Sequence, residues 1–180
     1  MSLLIVVDMQ QVVARDTLWN LPGVRDLLPV IGELADAFGP DVAYSRHVPP
    51  ADGGRGTWKR FYENWSELDE DPSNWDLMPE LAGRPGLHVA KSVYSVFGAP
   101  ELRAELERDE PRELVFCGVE TDCCVLASVL DAIDHGVPVT VVEDAVASPD
   151  RIGHEGALAL CRRLDDDQVR VTTAAALLAR

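Results

Sequence analysis

The sequence predicts an α/β fold: a doubly wound, three-layer sandwich about a central, mainly parallel six-stranded sheet. Two observations predict it. Six short apolar runs, rich in β-branched residues, recur along the 180 residues, and segments of helical period lie between them. The runs are nearly continuous in apolarity instead of alternating, as strands covered on both faces are.

In chain order, "LLIVV" (3–7) is the first strand and "PGVRDLLPVIGELADAFG" (22–39) the first long helical segment. "DVAYS" (41–45) is the second strand. The interval Pro49 to Pro85, rich in Gly, Pro and Trp, is too long for an ordinary connection and reads as a cap-like insertion at about 49–85 in a single domain spanning 1–180. Within it Trp58, Phe61, Tyr62 and Trp65 follow helical spacing, a stripe that reads as packing or a subunit contact before ligand stacking. "LHVA" (87–90) is the third strand, "APELRAELERD" (99–109) a helix and "ELVFCGV" (113–119) the fourth strand. The helical "TDCCVLASVLDAIDHG" (121–136), the strand "VPVTVVE" (137–143), the helical "DRIGHEGALALCRRL" (150–164), the strand "QVRVT" (168–172) and the helical "TAAALLAR" complete the chain. No internal repeat interrupts the alternation.

Thirty-one acidic against 16 basic residues give a formal charge of −15, which opposes electrostatic capture of nucleic acid or of an anionic membrane. "MSLLIVVDMQ" has no basic region before its short apolar run and meets an aspartate at once, so a cytoplasmic protein with no membrane span is expected. Cys117, Cys123, Cys124 and Cys161 show no CxxC spacing and read as free thiols.

A free cysteine in an α/β protein is ordinarily a small buried hydrophobe. Position alters that for one pair. With Thr121 as N-cap, Asp122, Cys123 and Cys124 open a helix, where the dipole lowers a thiol pKa. An apolar stripe through Leu126, Val129, Leu130 and Ile133, stepped at about 100° per residue, turns Cys123 toward the core and leaves Cys124 free to meet a ligand. Cys117 and Cys161 read as structural. Asp8 and Lys91 follow the first and third strands, so both share with Cys124 the carboxyl edge of the sheet, where such folds bind ligands. A base, a cation and a nucleophile stand together there without a histidine.

These elements resemble the isochorismatase-like cysteine hydrolases, the superfamily of nicotinamidases, N-carbamoylsarcosine amidohydrolases and ureidoacrylate amidohydrolases. The resemblance runs through "LLIVVDMQ", "YSRHVP", "HVAKSVYSVFGAPEL", "VFCGVETDCCVLASVLDAIDHG" and "VTVVEDAVAS", nearly the whole chain. It implies Asp8, Lys91 and Cys124 as the catalytic residues. It also implies a cis peptide from Val119 to Glu120, with the N–H groups of Glu120 and Cys124 facing an oxyanion, and a homo-oligomer, dimer or tetramer. Metal-dependent nicotinamidases resemble one another in an Asp-x-His pair after the second strand and a further histidine before the lysine. Ser45 stands where that aspartate would be, and no histidine lies between His47 and His88, so no metal or other cofactor is expected. "SRHVPP" is similar to the metal-free branch, where Arg46 or His47 would contact a substrate carboxylate or carbonyl. Trp58 of the stripe and Tyr94 of the K-S-x-Y-S-x-F element are further binding candidates.

The function expected is cysteine-dependent, metal-independent hydrolysis of a C–N bond in a small carboxamide or ureido substrate, through a thioester. Two alternatives stay open: a vinyl-ether hydrolase of the isochorismate type, which needs no cysteine, and a thiol redox or regulatory module. A dinucleotide-binding domain lacks its G-x-G-x-x-G after "LLIVVD".

Overall fold

The structure, a computed structural model, describes residues 2–109 and 113–179. Met1 and Arg180, the ends of the expected domain, lie outside the described residues.

Six strands, β1 (Ser2–Val7), β2 (Val42–His47), β3 (Leu87–Lys91), β4 (Glu113–Val119), β5 (Val139–Ala147) and β6 (Val169–Thr172), form one sheet in the order β3-β2-β1-β4-β5-β6. Every pairing is parallel. Between the strands run α1 (Gln11–Ala14), α2 (Leu28–Phe38), α3 (Thr57–Asn64), α4 (Pro79–Ala82), α5 (Pro100–Asp109), α6 (Leu126–Asp134), α7 (Arg151–Arg163) and α8 (Ala174–Leu178).

Strand alternation sorts the core onto two faces. Leu4 and Val6 join Ile31, Leu34, Val115 and Met78 on the face covered by α2 and α8. Ile5 and Val7 join Leu102, Phe116, Val129 and Leu158 on the face covered by α5, α6 and α7. Both faces of β1 and β4 are therefore closed, which is why their sequences carry no polar alternation.

β2 and β5 run longer than the apolar pattern predicts, β2 by Arg46 and His47, and β5 through Glu143 and Asp144 to Ala147. A register shift in the β4–β5 ladder, where Phe116 faces Val141 but Gly118 faces Val146, absorbs the polar pair. The interval 49–85 is not irregular but is folded into α3, two 3₁₀ turns (Ser66–Glu70 and Pro72–Trp75) and α4.

The chain leaves β1 for β2 on one side and reaches β4 on the other, so the strand order reverses between β1 and β4. A crevice opens there beyond the carboxyl ends. Gly118, at φ 102°, lets β4 pass against Val7, whose carbonyl oxygen would lie 2.2 Å from any Cβ at that position. This close approach sets the residues after β4 beside those after β1.

Candidate active site

Asp8 leaves β1 in the left-handed region, φ 49°, a conformation aspartate tolerates better than most residues. Its N–H donates to the Ser45 carbonyl at 3.2 Å, and the Ser45 hydroxyl donates to Asp8 Oδ1 at 2.7 Å. The other carboxylate oxygen accepts from Lys91 Nζ at 2.7 Å. Lys91 ends β3, and its ammonium also donates to the Val93 carbonyl at 3.1 Å and to Cys124 Sγ at 3.4 Å. Asp8 is 6% exposed and Lys91 2%. The three catalytic candidates thus meet, with the ammonium between carboxylate and sulfur. Burial opposes the Lys91 charge, but Asp8 and Cys124 outweigh it and hold the pKa above the ordinary lysine value.

The Val119–Glu120 peptide is cis. Thr121–Val125 then form a π-helical turn, not the first turn of an α-helix, with the N–H groups of Cys123 and Val125 both donating to the Glu120 carbonyl. Asp122 and Ser148 bond each other at 2.6 Å, and His154 Nδ1 lies 2.9 Å from Thr121 Oγ1, which pins this turn to β5 and α7. Ser128 Oγ donates to the Cys124 carbonyl at 2.6 Å and accepts from the Val96 N–H at 3.0 Å, tying the turn to the segment after Lys91. Ser95 of that segment reaches Asp131 at 2.6 Å.

The wide turn alters the helical phase. Ser128, Val129 and Ala132 are the buried residues of α6, whereas Leu130 of the expected apolar stripe is 39% exposed. Cys123 is accordingly not turned into the core: it stands with Cys124 on the wall of a cavity of about 260 Å³. Nor is Cys124 a standing thiolate. Its hydrogen bond with Cys123, burial and the nearby Asp8 carboxylate push its pKa up, against the pull of Lys91, while the same hydrogen bond draws Cys123 down. Cys117 and Cys161 are buried, as expected, and burial raises both thiols.

Asp8, His47, Trp19, Phe61, Trp65, Tyr94 and Glu120 also line this cavity. Trp58 does not; it packs behind the wall, 4.7 Å from the Tyr94 ring. The aromatic stripe of α3 therefore faces inward. Trp19, whose neighbourhood "DTLWNLPG" carries no periodic signal, completes the box at 5.8 Å from both Phe61 and Trp65. Arg46 is also off the wall: it turns toward Asp76, 3.7 Å away, because it points to the opposite side of β2 from Ser45 and His47.

His47 is 5% exposed and sits among the rings of Trp19, Trp58, Phe61 and Tyr62. Its Nε2 lies 3.2 Å from the Tyr62 hydroxyl, which donates its single proton to the Ser92 carbonyl at 2.6 Å. The hydroxyl must then accept from Nε2–H, so the ring's lone pair is on Nδ1. That nitrogen is buried with no hydrogen-bond partner among the described residues. Burial, then Lys91, lower the His47 pKa to about 4, so the ring is neutral at pH 7.

Ligand atoms of Asp8, His47 and Cys124 lie within 4.8 Å of one another, a set that could approach a metal ion. The Lys91 ammonium already occupies the space between two of them, and a divalent ion there would meet a buried positive charge. His88, the other histidine of the expected metal comparison, is stacked on Tyr44 at 4.9 Å, away from the site. Among the described residues no helix is long and apolar enough to cross a membrane.

An Isochorismatase domain model matches residues 2–176. The "Isochorismatase domain-containing protein 2" of Pongo abelii is 40% identical over 88 residues, 48% of this chain and 42% of that protein. The chain thus spans less than half the length of the curated relatives it matches first. In structure it is similar to a cysteine hydrolase from Pseudomonas syringae pv. phaseolicola, with TM-score 0.81, 23% identity and coverage of 99% and 91% of the two chains. It is also similar to the nicotinamidase/pyrazinamidase of Bacillus subtilis, with TM-score 0.77, 22% identity and coverage of 95% and 98%. At these identities the two solved structures speak to the fold alone.

Proposed function

This chain belongs to the isochorismatase family, whose relatives include hydrolases, and from that premise we propose that it hydrolyses the C–N bond of a small carboxamide or ureido substrate through a thioester on Cys124. The observation that carries the reading is the buried ammonium of Lys91, bonded at once to Asp8 Oδ2 and Cys124 Sγ. It places a base and a nucleophile around one cation at the edge of a closed cavity.

In this mechanism Cys124 rests as a thiol. As substrate enters, Asp8 takes the S–H proton while sulfur attacks the carbonyl carbon. Lys91 releases its contact with sulfur and, with the N–H groups of Glu120 and Cys124, holds the oxyanion. The C–N bond then breaks, and Asp8 returns its proton to the departing nitrogen. Water, deprotonated by the same carboxylate, attacks the thioester and frees the acid and the thiol. Ser45 orients Asp8 throughout, in the position where metal-dependent relatives are expected to carry a metal-binding aspartate. The segment 49–85 serves as the lid, with α3 as its inner face. Self-association into a dimer or tetramer remains part of the proposal on the family resemblance, since Phe61 and Trp65 of the stripe are used inside the protomer.

The test is acyl trapping. Intact-protein mass spectrometry during turnover of a carboxamide should show an adduct on Cys124 that hydroxylamine removes, and Cys124→Ala should neither form it nor release ammonia. Ammonia release by Cys124→Ala at the wild-type rate would sink the thioester route.

A further inference from the structure

The wall of the cavity is rich in electron donors and poor in free protons. Gln10 donates both amide hydrogens to the carbonyls of His47 and Trp75 and accepts from the His47 N–H, so its side chain has nothing left for a ligand. All three N–H bonds of Lys91 are taken at rest by Asp8, Val93 and Cys124. Arg46 points away, toward Asp76. What remains is acceptor: the unpartnered Nδ1 of neutral His47, the wall residue Glu120, whose nearest charges are Asp122 and Asp8, and the faces of Trp19, Phe61 and Trp65.

Resting on the reading of this cavity as an amidohydrolase site, we propose that the uncleaved part of the substrate carries N–H donors, neutral or cationic, and no carboxylate, and that His47 Nδ1 and Glu120 select it. This reverses the polarity expected from the sequence, in which Arg46 or His47 would meet a carboxylate or carbonyl. An imidazole whose only proton goes to Tyr62 cannot donate to such a group. It can accept, and from a favourable state. Nδ1 is already screened from water, so an N–H arriving between the aromatic rings makes a hydrogen bond without stripping water from the acceptor. Glu120, held by burial and by two neighbouring carboxylates above the ordinary glutamate pKa, gains from an incoming donor or cation and is opposed by an incoming anion. Aromatic faces attract a cation and offer a carboxylate nothing. The same accounting turns away a carboxylate-bearing vinyl ether.

Three amides of similar size separate the cases: glycinamide (cationic), malonamide (neutral, rich in N–H) and malonamate (anionic). Their binding to Cys124→Ala can be followed at equilibrium through the fluorescence of Trp19 and Trp65 on the wall, without turnover. Glycinamide and malonamide should bind at least about tenfold tighter than malonamate, the scale of one well-made against one unmade buried hydrogen bond. Adding His47→Phe should weaken malonamide about tenfold, and adding Glu120→Gln should narrow the gap between malonamide and malonamate. Malonamate binding as tightly as the others, no binding of any of the three at millimolar concentration, or an affinity order untouched by both added substitutions would overturn the inference. Ammonia release by Cys124→Ala is scored separately, because it tests the thioester route whatever the binding order.

Discussion

Replacing Lys91 by Met leaves the Asp8 carboxylate in the interior without its cation. Breaking a buried ion pair from one side costs about 3–5 kcal/mol. Here a ceiling applies, because the stranded carboxylate can escape by taking a proton. At pH 7 protonating a group whose ordinary pKa is about 3.9 costs about 4 kcal/mol, and at pH 5 about 1.5 kcal/mol. Lys91→Met should therefore lose about 3–4 kcal/mol at pH 7 and roughly half of that or less at pH 5. For a chain of 180 residues the loss at pH 7 is a fall in melting temperature of about 10 °C. Adding Asp8→Asn, which keeps the acceptor for the Ser45 hydroxyl and removes the charge, should restore most of it. Thermal melts followed by circular dichroism at the two pH values, for both single variants and the double, measure every term. Equal losses at pH 5 and pH 7, or strict additivity in the double variant, would refute the claim that the ion pair is desolvated and mutually dependent.

The neutral His47 gives a pH signature. Its folded pKa, about 4, lies below the ordinary 6.5, so the unfolded chain binds the extra proton, and stability should fall by about 3 kcal/mol as pH drops from 6.5 toward 4; chemical denaturation should find that slope reduced in His47→Phe. Cys124→Ala should abolish turnover, whereas Cys123→Ala, removing a group on the cavity wall, should retain activity and cost less than about 1 kcal/mol of stability in the same denaturation assay. Alkylation by iodoacetamide at neutral pH, mapped by peptide mass, should mark Cys123 before Cys124, since the hydrogen bond between the thiols favours the Cys123 thiolate. Turnover should survive exhaustive chelation, and activity lost to EDTA and restored by Zn²⁺ or Mn²⁺ would instead assign a metal to the Asp8, His47 and Cys124 cluster.

The strands most legible in the sequence are those buried on both faces. β1 and β4 are read from unbroken apolarity because Leu4 and Ile5, or Val115 and Phe116, enter cores on opposite sides of the sheet. The carboxyl ends were less legible for the same physical reason. Arg46 and His47 extend β2 through backbone pairing with Ala90 and Lys91, and a polar side chain does not prevent a ladder hydrogen bond. Lys91 is thus the last residue of β3 instead of the first beyond it. The cysteine assignment shows a different limit. A fixed step of 100° per residue assumes an α-helix from Thr121 onward, and the π turn over Thr121–Val125 breaks that assumption where the decision between Cys123 and Cys124 is made. Motif position does not depend on helical phase, so the assignment of Cys124 as nucleophile now rests on the motif and on the contact with Lys91.

What the sequence withheld most completely was the bookkeeping of protons. Lysine, glutamine, tyrosine and histidine are donors by composition, and a cleft that contains Lys91, Gln10, Tyr62 and His47 looks equipped to bind an anion. Folding removes each donor in turn: Lys91 is held by Asp8, Val93 and Cys124, Gln10 by two backbone carbonyls, and Tyr62 by Ser92. The Tyr62 hydroxyl then fixes the His47 tautomer and turns a residue that could have donated into one that can only accept. Buried polar groups satisfy one another before any ligand arrives, so the chemistry a cavity offers is the remainder left by its own hydrogen bonds. That remainder, acceptors and aromatic faces around a nucleophile, is a property of connectivity among residues distant in the chain, and no local pattern encodes it.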